Sequence, residues 1–202
     1  MQGLTEDVTL RPRSSRVLAA ALVGVAALGL LGVLATGRTE LIVRAIPPLG
    51  LLGFGAWTTF WHPAVRIGPA GVTMINPMQT VTTTWPAVED VQTRWSLAVV
   101  TARGVHTAWA APRPSRMTSA LSVRRDVRGL ADYAAERRRQ QEPGRATGDI
   151  AAHLVTAQWS QYRDRGLLGA VEGSGVEIHW HVTTVLVLAA LASAWVLVLV
   201  LP

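Results

Sequence analysis

The sequence predicts an α+β membrane protein in which apolar helices frame a small antiparallel β domain. Three observations carry that prediction. The stretches Val17 to Gly37, Ala45 to Val65 and Ile178 to Pro202 hold no Asp, Glu, Lys or Arg. Only 16% of the 202 residues are charged, against roughly 25% in an average soluble domain. Between the second and third stretches the pattern changes to two-residue alternation broken by Gly and Pro, the signature of short strands and turns.

The first helix is the uninterrupted apolar run from Val17 to Thr36. About 20 such residues cross a hydrocarbon core about 30 Å thick. The run exceeds the roughly 7 to 15 residues of a signal-peptide core and lacks a well-placed small-x-small cleavage site, so it reads as an uncleaved anchor. The second helix, Ala45 to Trp61, has Pro47 and Pro48 near its start. Proline is tolerated in a first turn, where N–H groups lack partners anyway, so this helix is expected to begin near Ile46. Gly37 to Arg44 then forms the short connection of an antiparallel hairpin. The third helix, Thr183 to Leu201, is rich in Leu and Val.

Arginine placement sets the expected orientation. With the N-terminus in the cytoplasm, Arg11, Arg13 and Arg16 lie inside, as do the 14 arginines between His62 and His181, and only Arg38 and Arg44 face out. That satisfies the positive-inside rule. The expectation is a multi-pass protein of the inner cell membrane, its β domain cytoplasmic and its C-terminus outside. Trp57, Trp61 and Trp180 form an aromatic belt at the inner interface. Small residues recur at four-residue spacing in Ala20 with Gly24, Ala189 with Ser193, and Ala190 with Ala194. Such faces let helices approach closely, within one chain or in a homo-oligomer.

The expected organisation is a cytoplasmic tail (1–16), a transmembrane hairpin (17–61), the β domain (62–112), an amphipathic helical region (113–169), a linker (170–182) and the C-terminal helix (183–202). In the β domain, Ala64 to Ile67 is a short strand turned by Gly68-Pro69-Ala70-Gly71. Val72 and Met74 share a face of the next strand, which Asn76-Pro77 ends. Val81, Thr83 and Trp85 share a face of the third, and Pro86 to Val91 is a connection. Trp95, Leu97, Val99 and Thr101 form the next inward set, and Ala102-Arg103-Gly104 turns the chain into a strand with Val105, Thr107 and Trp109 inward. Five such strands make a meander that needs a helix to cover one face. Trp85, Trp95 and Trp109 are expected to converge on one core. In Thr118 to Gln141, Val123, Val127, Leu130, Ala131 and Ala134 form a helical stripe. Asp149 to Arg165 carries Ile150, His153, Leu154, Ala157 and Gln161 around a mixed stripe with Trp159 and Tyr162, and Gly166 ends that helix.

Two N-terminal helices followed by W-H-P-A-V-R-I-G-P-A-G-V-T-M-I-N-P and then V-T-T-T-W-P-A-V-E-D-V resemble the bacterial pleckstrin-homology-like (PH-like) membrane proteins. The likeness is to actinobacterial PH domains of the low-molecular-weight protein antigen 6 type. Gly71-Val72 with Asn76-Pro77, Trp85 with Val88 and Val91, and the Arg103-Gly104 hairpin carry it, over Trp61 to Ala111. The resemblance implies a small bent β-barrel closed by a C-terminal helix, and it implies no activity. Phosphoinositide-binding members use a Lys/Arg cluster at the first hairpin. Only Arg66 stands there, which speaks against specific phosphoinositide recognition.

The absence of cysteine excludes disulfides, thiolate zinc sites and cysteine nucleophiles. All 19 basic residues are Arg, so lysine chemistry is excluded too. No glycine-rich phosphate loop, H-E-x-x-H pair or G-x-S-x-G elbow is present. No enzyme and no cofactor are therefore expected. Glu177, His179 and His181 would point one way in an extended stretch, with His62 at the same depth. Imidazoles and a carboxylate suit zinc or copper, but the simpler expectation is that they mark the lipid interface, with no metal. Arg113, Arg116, Arg124, Arg125 and Arg128 are the expected binding residues, facing the anionic inner leaflet or an acidic membrane-protein partner. Nucleic acid is not expected, because the basic run lacks interleaved aromatics. The expected function is that of a membrane-anchored interaction module. An accessory subunit of a larger membrane complex, or a metal-dependent membrane enzyme using the interfacial histidines, is the alternative.

Overall fold

The computed structural model describes residues 7–93, 96–112, 146–166 and 175–200. The chain divides into two compact units: a helical one of Ser14–Pro63, Asn76–Thr80 and His179–Pro202, and a β-rich one of Met1–Arg13, Ala64–Ile75 and Val81–Ile178.

The helical unit holds α1 (Arg13–Ala35), α2 (Thr39–Ala56), which continues as a π-helical turn Trp57–Trp61, and α4 (Val182–Val200). All three are long and apolar enough to cross a membrane. Leucines such as Leu28 and Leu199 stand largely exposed, at 70% and 71%. Helix α2 begins seven residues before the expected start near Ile46. Glu40 sits in its first turn and pairs with Arg44 one turn on, at 3.1 Å, so the expected connection is itself helical. Pro47 and Pro48 therefore lie inside the helix, each lacking the N–H of one ladder bond. The link between α1 and α2 shrinks to Thr36, Gly37 and Arg38, with Gly37 at φ +65°.

Glycines on α2 set the helix packing. A side chain at Gly53 would touch Ala26 of α1, and one at Gly50 or Gly55 would touch Leu191 or Leu188 of α4. One at Gly29 of α1 would likewise press on Leu49 of α2, so the close approaches rest on these glycines rather than on the spacings noted in α1 and α4. Gly24 meets nothing within 4 Å, and Ala189, Ala190 and Ser193 are exposed.

In the β-rich unit the expected single meander is replaced by two antiparallel sheets. One has the order β1-β2-β3-β4-β8 and the other β5-β6-β7. Strands β2 (Ala64–Ile67), β3 (Gly71–Ile75), β4 (Gln79–Thr84) and β6 (Ser96–Thr101) lie where the alternation puts them. Three-residue β5 (Asp90–Gln92) follows a short 3-10 turn. The first sheet also takes β1 (Val8–Leu10) from the expected N-terminal tail and β8 (Val176–Trp180) from the expected linker. Val8, Thr9 and Leu10 pair with Ile67, Arg66 and Val65, while Thr84 N–H donates to Gly175 O at 3.2 Å and His181 N–H to Met78 O at 2.8 Å.

Val65, Ile67, Val72, Met74, Val81 and Trp85 fill the core together with Leu97 and Val99. Strand β7 (Gly104–Pro112) presents the opposite face from that expected. The two-residue turn Ala102-Arg103 sets Thr101 against Gly104 and Val99 against His106. Residues directly opposite each other share a face, so His106, Ala108 and Ala110 point in, and Trp109 is 55% exposed. Trp95 lies outside the described residues. Pro112 is the last residue of the strand rather than its stop.

Helix α3 (Ala146–Asp164) covers the core, and Gly166 at φ +67° follows its end, as expected. Its inward stripe is Ala151, Leu154, Val155, Gln158 and Tyr162, one position off the expected one, and Ile150 and His153 are exposed. Two side chains anchor that phase. Trp159 Nε1 donates to Val88 O at 3.1 Å and Tyr162 Oη to Pro69 O at 2.9 Å. Trp85, fully buried, donates its Nε1 to Gly68 O at 2.9 Å and stacks on Tyr162. The helix expected over Thr118 to Gln141 falls outside the described residues.

Trp85→Ala removes the largest buried side chain and leaves Gly68 O unpaired, so it should cost about 3–5 kcal/mol. Trp109→Ala, on the outer face, should stay within about 0.5 kcal/mol. Protease resistance of the full chain in detergent will distinguish them: equal sensitivity of the two variants contradicts the inward–outward assignment of β7.

Candidate functional site

The five arginines singled out from the sequence, Arg113, Arg116, Arg124, Arg125 and Arg128, lie outside the described residues. Of the other arginines in the β-rich unit, Arg66 stands exposed on β2, and Arg103 donates from Nη1 to Val176 O at 2.7 Å, tying the 102–103 turn to β8.

The densest gathering of functional side chains in the helical unit is at the end of α2. The α-helix there widens into a π-turn: His62 N–H donates to Trp57 O, five residues back, at 3.1 Å, and Thr58 Oγ1 bonds Gly55 O at 3.0 Å. Such widened turns recur at functional sites because they re-aim side chains. Here Trp57 stacks on Phe54 and lies beside the His62 ring, with centroids 5.5 Å apart. His62 in turn meets the edge of His181 at 5.4 Å. His181 precedes α4 and is held at the start of β4, with Nε2 3.0 Å from Thr80 Oγ1 and Nδ1 3.4 Å from Pro77 O in the turn before it. A carbonyl only accepts, so the tautomer with its N–H on Nδ1 satisfies both contacts.

The expected proximity of His62 and His181 is therefore present. Among the described residues, however, no group of three or more His, Asp or Glu is arranged to hold a metal ion. Trp180, in the expected aromatic belt, is 63% exposed.

A second contact in the same unit went unnoticed in the sequence. The Arg16 guanidinium lies 4.3 Å from the centre of the Trp61 ring. Its Nε is shut off from solvent, and among the described residues no acceptor reaches it. The two residues are 45 positions apart, and only the α1–α2 hairpin brings them together. Each flanks an apolar run, which is the one sequence signal that marks them as neighbours in depth.

The β-rich unit buries one further titratable group. His106 is 8% exposed, and among the described residues nothing hydrogen-bonds its Nε2. Burial pushes its pKa below the ordinary histidine value, because desolvation penalises the charged form. Thr83 Oγ1, on β4, is likewise buried without a partner among the described residues.

The chain matches no family model, no curated protein and no solved structure.

The folded unit thus takes up the His106 proton less readily than the unfolded chain does. Stability should be full above about pH 6.5 and fall as pH drops below that value. His106→Leu removes both the titration and the unpaired nitrogen. It should match or exceed the parent at pH 7 and lose less stability between pH 7 and 5, by chemical denaturation of the full chain. An unchanged pH dependence contradicts this assignment.

Proposed function

We propose that this chain is a membrane-anchored interaction module, a PH-like β domain carried on three membrane-spanning helices, whose cytoplasmic face engages the anionic inner leaflet. The observation that carries this reading is the pairing of β1 with β2. Strand β1 precedes the first membrane-length helix and β2 follows the second. A hydrogen-bonded ladder does not form through a bilayer, so the pairing favours α1 and α2 crossing as a hairpin. Strand β8, in the same sheet, leads directly into α4, which favours a C-terminus on the far side.

Charge supports the cytoplasm as the side that holds the sheets. Every arginine except Arg38 and Arg44 falls there, and basic residues are retained on the cytoplasmic side. Near an anionic leaflet each is worth about 1 kcal/mol of attraction. Consecutive antiparallel strands followed by a helix packed on them agree with the PH-like resemblance.

Orientation is tested with a reporter active only outside the cytoplasm. Fused after Pro202 it should be active, and inserted within 142–148 it should be silent. The reverse pattern overturns the cytoplasmic assignment and the lipid-surface reading with it.

Surface engagement is tested on the full chain in bilayer nanodiscs. Hydrogen exchange over 96–166 should slow in phosphatidylglycerol discs relative to phosphatidylcholine discs. The protection should fade with salt as the Debye length falls below about 8–10 Å. Arg→Gln changes at 113, 116, 124, 125 and 128 should erode it step by step. Identical exchange in both lipids at low salt leaves these arginines as topology determinants only.

A further inference from the structure

We propose that Arg16, stacked on Trp61, forms a binding site for the phosphate of an anionic phospholipid headgroup. The proposal deepens the inner-leaflet reading by naming a single site in the helical unit. It starts from an unmatched charge. A guanidinium keeps its proton at any ordinary pH and offers five N–H donors, and a charge removed from water needs a partner. Arg44 pairs with Glu40 and Arg163 with Asp164. Arg16 pairs with neither kind of group. Its Nε is sequestered without an acceptor, and its positive charge rests on an aromatic face instead.

Trp61 lies against the guanidinium carbon, and of the donors in the guanidinium plane Nε has no acceptor among the described residues. A planar fork of donors matches two oxygens of one phosphate. The surroundings indicate where that phosphate comes from. Arg16 is in the first turn of the apolar segment Ser14–Ala35, and Trp61 is the last residue of Thr39–Trp61. Both therefore stand where a bilayer places its headgroups. Trp57, also partly exposed, lies one turn before Trp61, and Trp180 stands two residues before the third segment begins. Indoles at that depth put an apolar body in the acyl region and a polar edge among the headgroups. A lipid with net negative charge is favoured over a zwitterionic one, because a choline ammonium would sit against the arginine.

The test is native mass spectrometry of the full chain released from micelles that contain phosphatidylglycerol and phosphatidylcholine in equal amounts. The parent should retain one phosphatidylglycerol in preference to phosphatidylcholine. Arg16→Gln should reduce that retention by about tenfold or more, as expected on losing hydrogen bonds to a charged group. Arg16→Lys should fail to restore it, because an ammonium lacks the fork. Trp61→Leu should weaken retention and Trp61→Phe should preserve part of it. Arg38→Gln, the same charge change at the other end of the hairpin, should leave it intact. Thermal unfolding of each variant in phosphatidylcholine alone identifies any that are simply misfolded, and Arg16→Lys then serves as the folded comparison.

Retention by Arg16→Gln at the parent's level, or full rescue by Arg16→Lys, overturns the proposal. Displacement of the lipid by an equal concentration of inorganic phosphate also overturns it, by making the ligand a soluble anion. The outcome is independent of the 113–128 arginines. Failure of the general surface attraction and failure of this site are therefore separately visible.

Discussion

The β1–β2 ladder is the constraint on which the rest of the architecture depends. Three residue pairs, Val8 with Ile67 through Leu10 with Val65, join chain segments separated by two membrane-length helices. Without it β2 would present an unpaired edge, and an open edge is a template for wrong partners. Strand β8 protects the other side of the same sheet, next to β4. The sheet is therefore not a local meander. Its two middle pairings are near neighbours in sequence, and its two outer strands are brought in from the flanks of the apolar helices.

How much of this is readable from residues alone follows the range of each interaction. Strands β2, β3, β4 and β6 announce themselves, because alternation and Gly/Pro turns are local signals. Strand β7 shows its period but not its phase. Val105, Thr107 and Trp109 look like an inward set by size, yet the two-residue turn at Ala102-Arg103 puts the smaller His106, Ala108 and Ala110 inside. Small inward residues suit a strand that packs against both β2 and β3. Strand β1 has only 3 residues, and β8 buries Val176 alone, so neither presents an alternating apolar face. Helix α2 misleads for a different reason: two adjacent prolines suggest a start, whereas the tertiary setting carries the helix through them. The histidine pair His62 and His181 was visible as an interfacial group, while Arg16 with Trp61 depended on a hairpin geometry that no spacing encodes.

Helix α2 holds the helical unit together through its lack of side chains. Gly53 admits Ala26 on one side, and Gly50 and Gly55 admit Leu191 and Leu188 on the other. In a lipid setting, where apolar surface gains nothing by leaving the solvent, close backbone approach and dispersion supply the cohesion. The same helix tolerates the missing N–H groups of Pro47 and Pro48 and then widens at Trp57–Trp61. One element thus combines close packing in its middle with a re-aimed aromatic end.

Strand β8 has a consequence for the order of events during synthesis. It is the last strand before the last helix, so every other strand described in both sheets is made before the sheet's final strand exists. Until then β4 waits with an open edge. The last apolar segment emerges directly behind the strand that completes the sheet. Completion of the sheet and synthesis of the last apolar helix therefore become nearly simultaneous steps, and a chain stopped before residue 176 would carry an unfinished sheet.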